Sequence, residues 1–237
     1  VPAAFPGESR GGPPHRAGDP RRAAALTPEA FIRANTARAH APLVPEVALN
    51  LATEITPIWQ ASEVWLRETG IEPPFWAFAW PGSQALARHV LDAPSLVAGL
   101  RVLDFAAGCG LAAIASALAG AAFVEAAEID PLAAAATALN ARENGVAIAA
   151  GSDDIVGSDC RWDVILCGDV CYEAPMTGHI LPWLRRMAAQ ATVLVADPGR
   201  AYVPRDRMTE IARITVPTTI ELEDHTERVV TIWRLGA

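Results

Sequence analysis

Apolar positions follow two rhythms along the chain. In roughly the first hundred residues the pattern is short and repeatedly broken by proline. Thr27-Pro28-Glu29-Ala30 sets a cap residue, a first-turn proline and an acid in order, which predicts a helix over 28–39. The run LVPEVALNLATE at 43–54 fits a strand or a helix equally well. Pro57, Pro73 and Pro74 then cut the chain into short pieces, and 83–91 reads as a helix with Leu86 and Val90 on a shared face. From residue 101 strand-length apolar runs alternate with helical ones. Strands are predicted over 101–104, 122–128, 146–150, 162–167 and 192–196, and helices over 111–118, 131–143, 176–189 and 205–212. Two closing strands are expected at 220–223 and 228–235, joined by a turn at 224–226. This alternation predicts an α/β fold of three layers, with a mostly parallel sheet and an antiparallel edge element. Residues 1–27, rich in Pro, Gly, Arg and Ala, read as a flexible arm. Residues 28–98 form an N-terminal extension and 99–237 the core.

Composition narrows the function. With 51% hydrophobic and 19% charged residues in 237, the chain is long and apolar enough to bury a full core. Acidic residues number 27 against 19 basic ones, a formal net charge of −8. Every basic residue is arginine; there is no lysine. Such a chain is a poor general binder of nucleic acid, which demands excess positive charge. The cysteines, Cys109, Cys160, Cys167 and Cys171, lack the paired C-x-x-C spacing of a zinc site, so no metal is expected and free thiols in a reducing compartment are. No apolar run of 18 residues follows a basic start, so neither a secretory leader nor a transmembrane helix is expected.

The stretch VLDFAAGCGLAAIA at 102–115 carries the most chemistry. An apolar strand delivers Asp104 to its carboxyl end, and Gly108 and Gly110 lead into a helix. Ligands of open α/β sheets bind in the crevice outside these strand ends. Gly108-x-Gly110-x-x-Ala113 matches a loose dinucleotide pattern. Asp104, however, comes four residues before the first glycine, where a carboxylate repels pyrophosphate and suits the cationic amino and sulfonium groups of S-adenosylmethionine. Glu128 ends the second strand of this unit, placed to accept both ribose hydroxyls, a contact common to both cofactor classes. Asp130-Pro131 reads as the cap of the next helix. After the third strand, Asp153 or Asp154 is positioned to accept from an adenine amino group, and Asp154 fits a solvated turn equally well.

These stretches together resemble the seven-strand class I methyltransferases, and most closely the family of the electron transfer flavoprotein beta-subunit lysine methyltransferase. The resemblance is carried by PFWAFAWPGSQALARHVLD (74–92), VLDFAAGCG (102–110), EIDPLA (128–133), ALN (138–140), WDVILCGDVCYE (162–173) and VADPGR (195–200), and spans about residues 40–237. It implies strand order 3-2-1-4-5-7-6 with the last strand antiparallel, helices on both faces, an N-terminal helical extension acting as a lid, and S-adenosylmethionine as cofactor. The residues expected around that cofactor are Trp80, Asp104, Ala106, Gly108, Gly110, Glu128, Ile129, Asp153 and Asp169. Asp169 and Tyr172 are the expected catalytic pair lining a lysine channel. Ala106 and Ala107 depart from the glycine or serine more usual there. For Asp169 a helix cap, and for Tyr172 a core position, are the alternatives. Arg200 is placed to anchor an acidic group of the substrate or to pin Asp197. The resemblance also implies a monomer acting on a protein, the flavoprotein beta subunit, in the cytoplasm of a bacterium or the mitochondrial matrix of a eukaryote. The competing reading is N-methylation of a small-molecule amine or amide. A nucleic-acid substrate is disfavoured, because GDVCY replaces an N-P-P-Y-type loop.

Overall fold

In the computed structural model the described residues are 26–54, 56–58, 73–203 and 205–237. Of the expected arm, residues 1–25 lie outside them. The order of elements is α1 (Pro28–Asn35), β1 (Ala37–Ala41), β2 (Val44–Leu51), α2 (Pro81–Asp92), β3 (Arg101–Phe105), α3 (Leu111–Leu118), β4 (Phe123–Ala127), α4 (Pro131–Glu143), β5 (Ala149–Gly151), β6 (Val164–Gly168), α5 (Ala174–Met187), β7 (Thr192–Asp197), β8 (Met208–Pro217), α6 (Ile220–Glu223) and β9 (Glu227–Leu235). Strands β3 to β9 form one sheet in the order β5-β4-β3-β6-β7-β9-β8. Renumbered from β3, this is the expected 3-2-1-4-5-7-6. Strands β3 to β7 are parallel, and β9 runs antiparallel to both β7 and β8.

Alternate residues of each strand feed the two faces of the sheet. On one face Val102, Val164, Leu166 and Leu194 pack with Leu86 and Val90 of α2 and Ala112 and Ala113 of α3. On the other, Leu103, Ile165 and Val193 meet Ile180, Trp183 and Met187 of α5. Trp162 and Trp183 stack edge to face in this second layer, ring centroids 6.2 Å apart. Among the described residues no helix is long and apolar enough to cross a membrane.

Three expected elements differ. The first helix stops at Asn35, where Asn35 Nδ2 donates to the Phe31 carbonyl (2.8 Å) and Thr36 Oγ1 to that of Ile32 (2.7 Å). The chain then turns back as the antiparallel hairpin β1–β2, so the extension is not purely helical. Residues 208–217 form strand β8 rather than a helix over 205–212. Ala212, Ile214 and Val216 turn inward between the more exposed Arg213 and Thr215, a period of two with β-branched residues that pairs with β9 on both sides of a register shift at Ile211. Residues 220–223 are the one-turn helix α6 rather than a strand. Asp224 closes it in the left-handed conformation (φ 58°), and Glu223 is drawn inward to two arginines.

A buried polar brace joins the extension to the core. Asn140 of α4 is fully buried. Its Oδ1 accepts from Asn50 N (2.8 Å) and Asn50 Nδ2 (2.9 Å) on β2, and its Nδ2 donates to the Cys109 carbonyl (2.9 Å) in the loop after β3. Asn140→Ala leaves these groups unpaired out of water. It is expected to cost about 2–3 kcal/mol of stability, read as a lower midpoint in urea unfolding.

Candidate active site at the carboxyl ends of the parallel strands

Each parallel strand ends on the same edge of the sheet and delivers polar chemistry there. Strand β3 leads into Ala106–Gly110. Gly108 (φ 55°) and Gly110 (φ 78°) are left-handed, and so is Ala106 (φ 57°), a conformation that a side chain resists by roughly 1–2 kcal/mol. A Cβ on Gly110 would fall 2.7 Å from Thr137 Cγ2, so α4 can lie against the loop only over a glycine. Thr137 Oγ1 in turn donates to the Gly108 carbonyl (3.1 Å).

Asp104 is buried beneath this loop, and its Oδ2 accepts from Ala113 N (2.8 Å) in the first turn of α3. Burial pushes its carboxyl up to about 8; the Ala113 amide opposes the shift and nearby Glu128 adds to it. Glu128, at the end of β4, accepts from Gly108 N and from Ile129 N (3.2 Å), and burial raises its proton affinity as well. Next to it Ile129 is 72% exposed, an apolar side chain with no core role. Asp130 caps α4 through Leu132 N (2.8 Å), as expected. Of the pair after β5, Asp154 is engaged in the turn, accepting from Val156 N (2.9 Å), while Asp153 is exposed at the rim.

Strand β6 ends at Gly168 and delivers Asp169, also left-handed (φ 55°) and buried. Its Oδ2 accepts from Gly82 N at the start of α2, and its Oδ1 from Arg200 Nη2 (3.2 Å). Asp169 therefore does cap a helix, though one distant in sequence. A Cβ on Gly82 would fall 2.5 Å from Asp169 Oδ2 and 2.6 Å from the Ala196 carbonyl, and one on Gly168 would fall 2.8 Å from Ser83 N. Two glycines thus let the start of α2 sit directly on the ends of β6 and β7. Burial pushes Asp169 up to about 7, against the opposing pull of Arg200 and with Asp197 adding to the rise. Asp197, at the end of β7, turns its Oδ1 to the Gly199 and Arg200 amides, both at 2.6 Å. Arg200 reaches Asp169 and Glu223 with its guanidinium and Asp197 only with its backbone amide.

Near these carboxylates the aromatic residues clustered at 75–80 are joined by Tyr172, from a distant part of the chain. Phe75 stands 5.9 Å from both Trp80 and Tyr172, and Phe78 is 5.8 Å from Trp80, between ring centroids. Trp80 Nε1 donates to the Phe75 carbonyl (2.8 Å), which fixes its indole. Trp76 is buried in one apolar cluster with Phe78, α1 and α4, and Trp80 packs against that cluster. Tyr172 is half-buried at the crevice rather than in the core.

The donor set distinguishes the two cofactor classes. Glu128 is close enough to raise the proton affinity of Asp104, and the amides of Ala113 and Gly108 are taken by the two carboxyls. A diphosphate finds neither of these amides free, whereas two carboxyls suit ribose hydroxyls and a positive charge. The sheet order, the left-handed glycine loop and the acid ending β4 define a class I, S-adenosylmethionine-dependent methyltransferase. A family model described as ribosomal protein L11 methyltransferase (PrmA) matches residues 85–170. The electron transfer flavoprotein beta subunit lysine methyltransferase of Xenopus laevis is 40% identical over 187 residues, 77% of this chain and 74% of that protein. Its Danio rerio counterpart is 36% identical over 201 residues, 81% and 76% of the two chains, and the Homo sapiens protein 36% over 184, 74% and 68%. The chain belongs to the electron transfer flavoprotein beta subunit lysine methyltransferase family.

The buried acids have a consequence for stability. A carboxyl pushed up to about 8 keeps its proton in the folded chain where the unfolded chain has lost it. Its contribution is present at low pH and declines as pH rises from about 4 towards 8, by up to about 1.4 kcal/mol per pH unit for one group. Asp104→Asn keeps an acceptor for Ala113 N without a titrating proton. Urea unfolding across pH 4–8 is expected to show a slope shallower by about one proton than in the parent chain.

Proposed function

We propose that this chain transfers methyl groups from S-adenosylmethionine to lysine side chains of an electron transfer flavoprotein beta subunit. The observation that carries this reading is the 40% identity with the Xenopus laevis enzyme of that name across most of both chains. In this reading the glycine loop and Trp80 enclose the cofactor, Glu128 accepts its ribose hydroxyls, and Ile129 and Asp153 meet its adenine. When bound, the cofactor supplies a methyl carbon already activated by its positive sulfur.

The chain's own task is then to deliver an amine without its proton and in line. Asp169 draws the lysine ammonium into the crevice. An ordinary carboxylate binds an ammonium but takes little of its proton; a carboxyl pushed up to about 7 takes more. Both of its oxygens are already engaged by Gly82 N and Arg200, which fixes the carboxylate while leaving further lone pairs open. The ring of Tyr172, backed by Phe75, offers a face to the lysine stem and its cation. Much of the acceleration comes from holding the nucleophile in line. The acidic balance of the chain favours a basic partner surface.

Incubation of the chain with radiolabelled S-adenosylmethionine and purified flavoprotein beta subunit is expected to place label on lysine, located by mass spectrometry. No incorporation under conditions where the cofactor binds, or label recovered only in small amines, overturns the substrate assignment. Asp169→Asn, which can still accept from Gly82 N, is expected to lower turnover by on the order of a hundredfold or more with cofactor affinity little changed. Unaltered turnover refutes the role given to Asp169.

A further inference from the structure

The carboxyl ends of β6 and β7 hold more charge than positioning an amine requires. Asp169, Asp197 and Glu223 are 8%, 2% and 1% exposed. Arg200 is divided between two of them by a single nitrogen: Nη2 stands 3.2 Å from Asp169 Oδ1 and 2.6 Å from Glu223 Oε1. A guanidinium usually meets one carboxylate with two parallel bonds. Here it is shared, and the shorter bond goes to Glu223. Arg228 competes with Arg200 for Glu223. Its Oε2 accepts from Arg228 Nε (3.1 Å), and Arg228 Nη2 donates to its main-chain carbonyl (2.9 Å).

We propose that Glu223 is a positioning residue for methyl transfer: shared between Arg200 and Arg228, it keeps Arg200 from pairing fully with Asp169 and so fixes the charge around the carboxylate that receives the substrate amine. The inference rests on the role given to Asp169 above. The groups facing Asp169 are Arg200, Asp197, Glu223 and the Gly82 amide at the start of α2. Asp197 anchors the Arg200 backbone through Oδ1, and its buried Oδ2 has no hydrogen-bond partner, so its charge also bears on Asp169. The neighbouring Cys171 thiol is pushed up to about 12 and stays neutral. Glu223 thus acts on Asp169 in two ways of the same sign: it draws Arg200 away, and it adds a negative charge nearby. Glu223→Gln keeps an oxygen for Arg200 but removes the charge, so the proton affinity of Asp169 should fall. Arg200→Gln, and Arg228→Gln, which leaves Glu223 to Arg200 alone, should raise it.

The test follows the Asp169 carboxyl by carbon-13 NMR titration, assigned by its loss in Asp169→Asn, together with the pH dependence of kcat/KM. In Glu223→Gln the Asp169 titration is expected to move to lower pH by about one unit, a tenfold change in proton affinity, and the acid limb of kcat/KM to move with it. In Arg228→Gln both should move to higher pH, and this arm stands if Arg200→Gln does not fold. Titrations that stay in place, or move in one direction in both variants, overturn the proposal, as does a uniform loss of activity with no change of profile. The NMR arm needs no substrate, so it is readable even if the flavoprotein assignment is wrong. Opposite NMR shifts with an unmoved acid limb would instead refute the role of Asp169 itself, and with it the positioning role of Glu223.

Discussion

The hydrogen bond from Gly82 to Asp169 is the contact on which the rest of the site depends. It ties the first turn of α2 to the end of β6, and glycine on both sides of the junction lets the backbones meet. Any side chain at either place would push the helix off the sheet. With α2 seated there, Trp80 is held at its cap and the aromatic group with Phe75 and Tyr172 closes over the strand ends. The same bond holds Asp169 in a left-handed backbone conformation, which an isolated turn would abandon. One short junction thus aligns the helix, the aromatic cover and the Asp169 carboxylate.

A second junction does the same for the cofactor half. Helix α4 presents Thr137 and Asn140 to the Gly108 and Cys109 carbonyls on one side, while Asn140 receives Asn50 of the hairpin on the other. The N-terminal extension is therefore wired to the glycine loop by hydrogen bonds rather than merely resting upon it. Displacement of β2 would strip a partner from a fully buried asparagine, so hairpin and loop hold or fail together.

The parallel half of the fold was legible because its signals are local. Apolar runs, a cap at Asp130 and the glycines after β3 each declare themselves within a few residues, and the observed strands fall close to the expected ones. The edge was less legible. In β8 the alternation of Ala212, Ile214 and Val216 begins only after the register shift between Glu210 and Ala212, so 205–212 carries no strand period and reads as a helix. At 220–223 the deciding force is the pairing of Glu223 with Arg200 and Arg228, a tertiary contact that no local pattern announces. Asp169, Tyr172, Glu128 and the glycines could be singled out from their places after strands. That Asp169 is bound by Gly82, 87 positions earlier, and that Arg200 is divided between two acids, follow only from how distant segments meet.

Strand β9 lies between β7 and β8 although it follows both in sequence. During synthesis, β7 must wait with an open edge while β8 and α6 emerge from the ribosome, and only the arrival of β9 fills the gap. Arg228, on that same strand, brings the second grip on Glu223. The cofactor loop is complete much earlier, since its strands and helices lie within the first 151 residues. A nascent chain can therefore possess the glycine loop and Glu128 before the charges around Asp169 are in their final balance. Its chemistry is assembled last, when the sheet itself is closed.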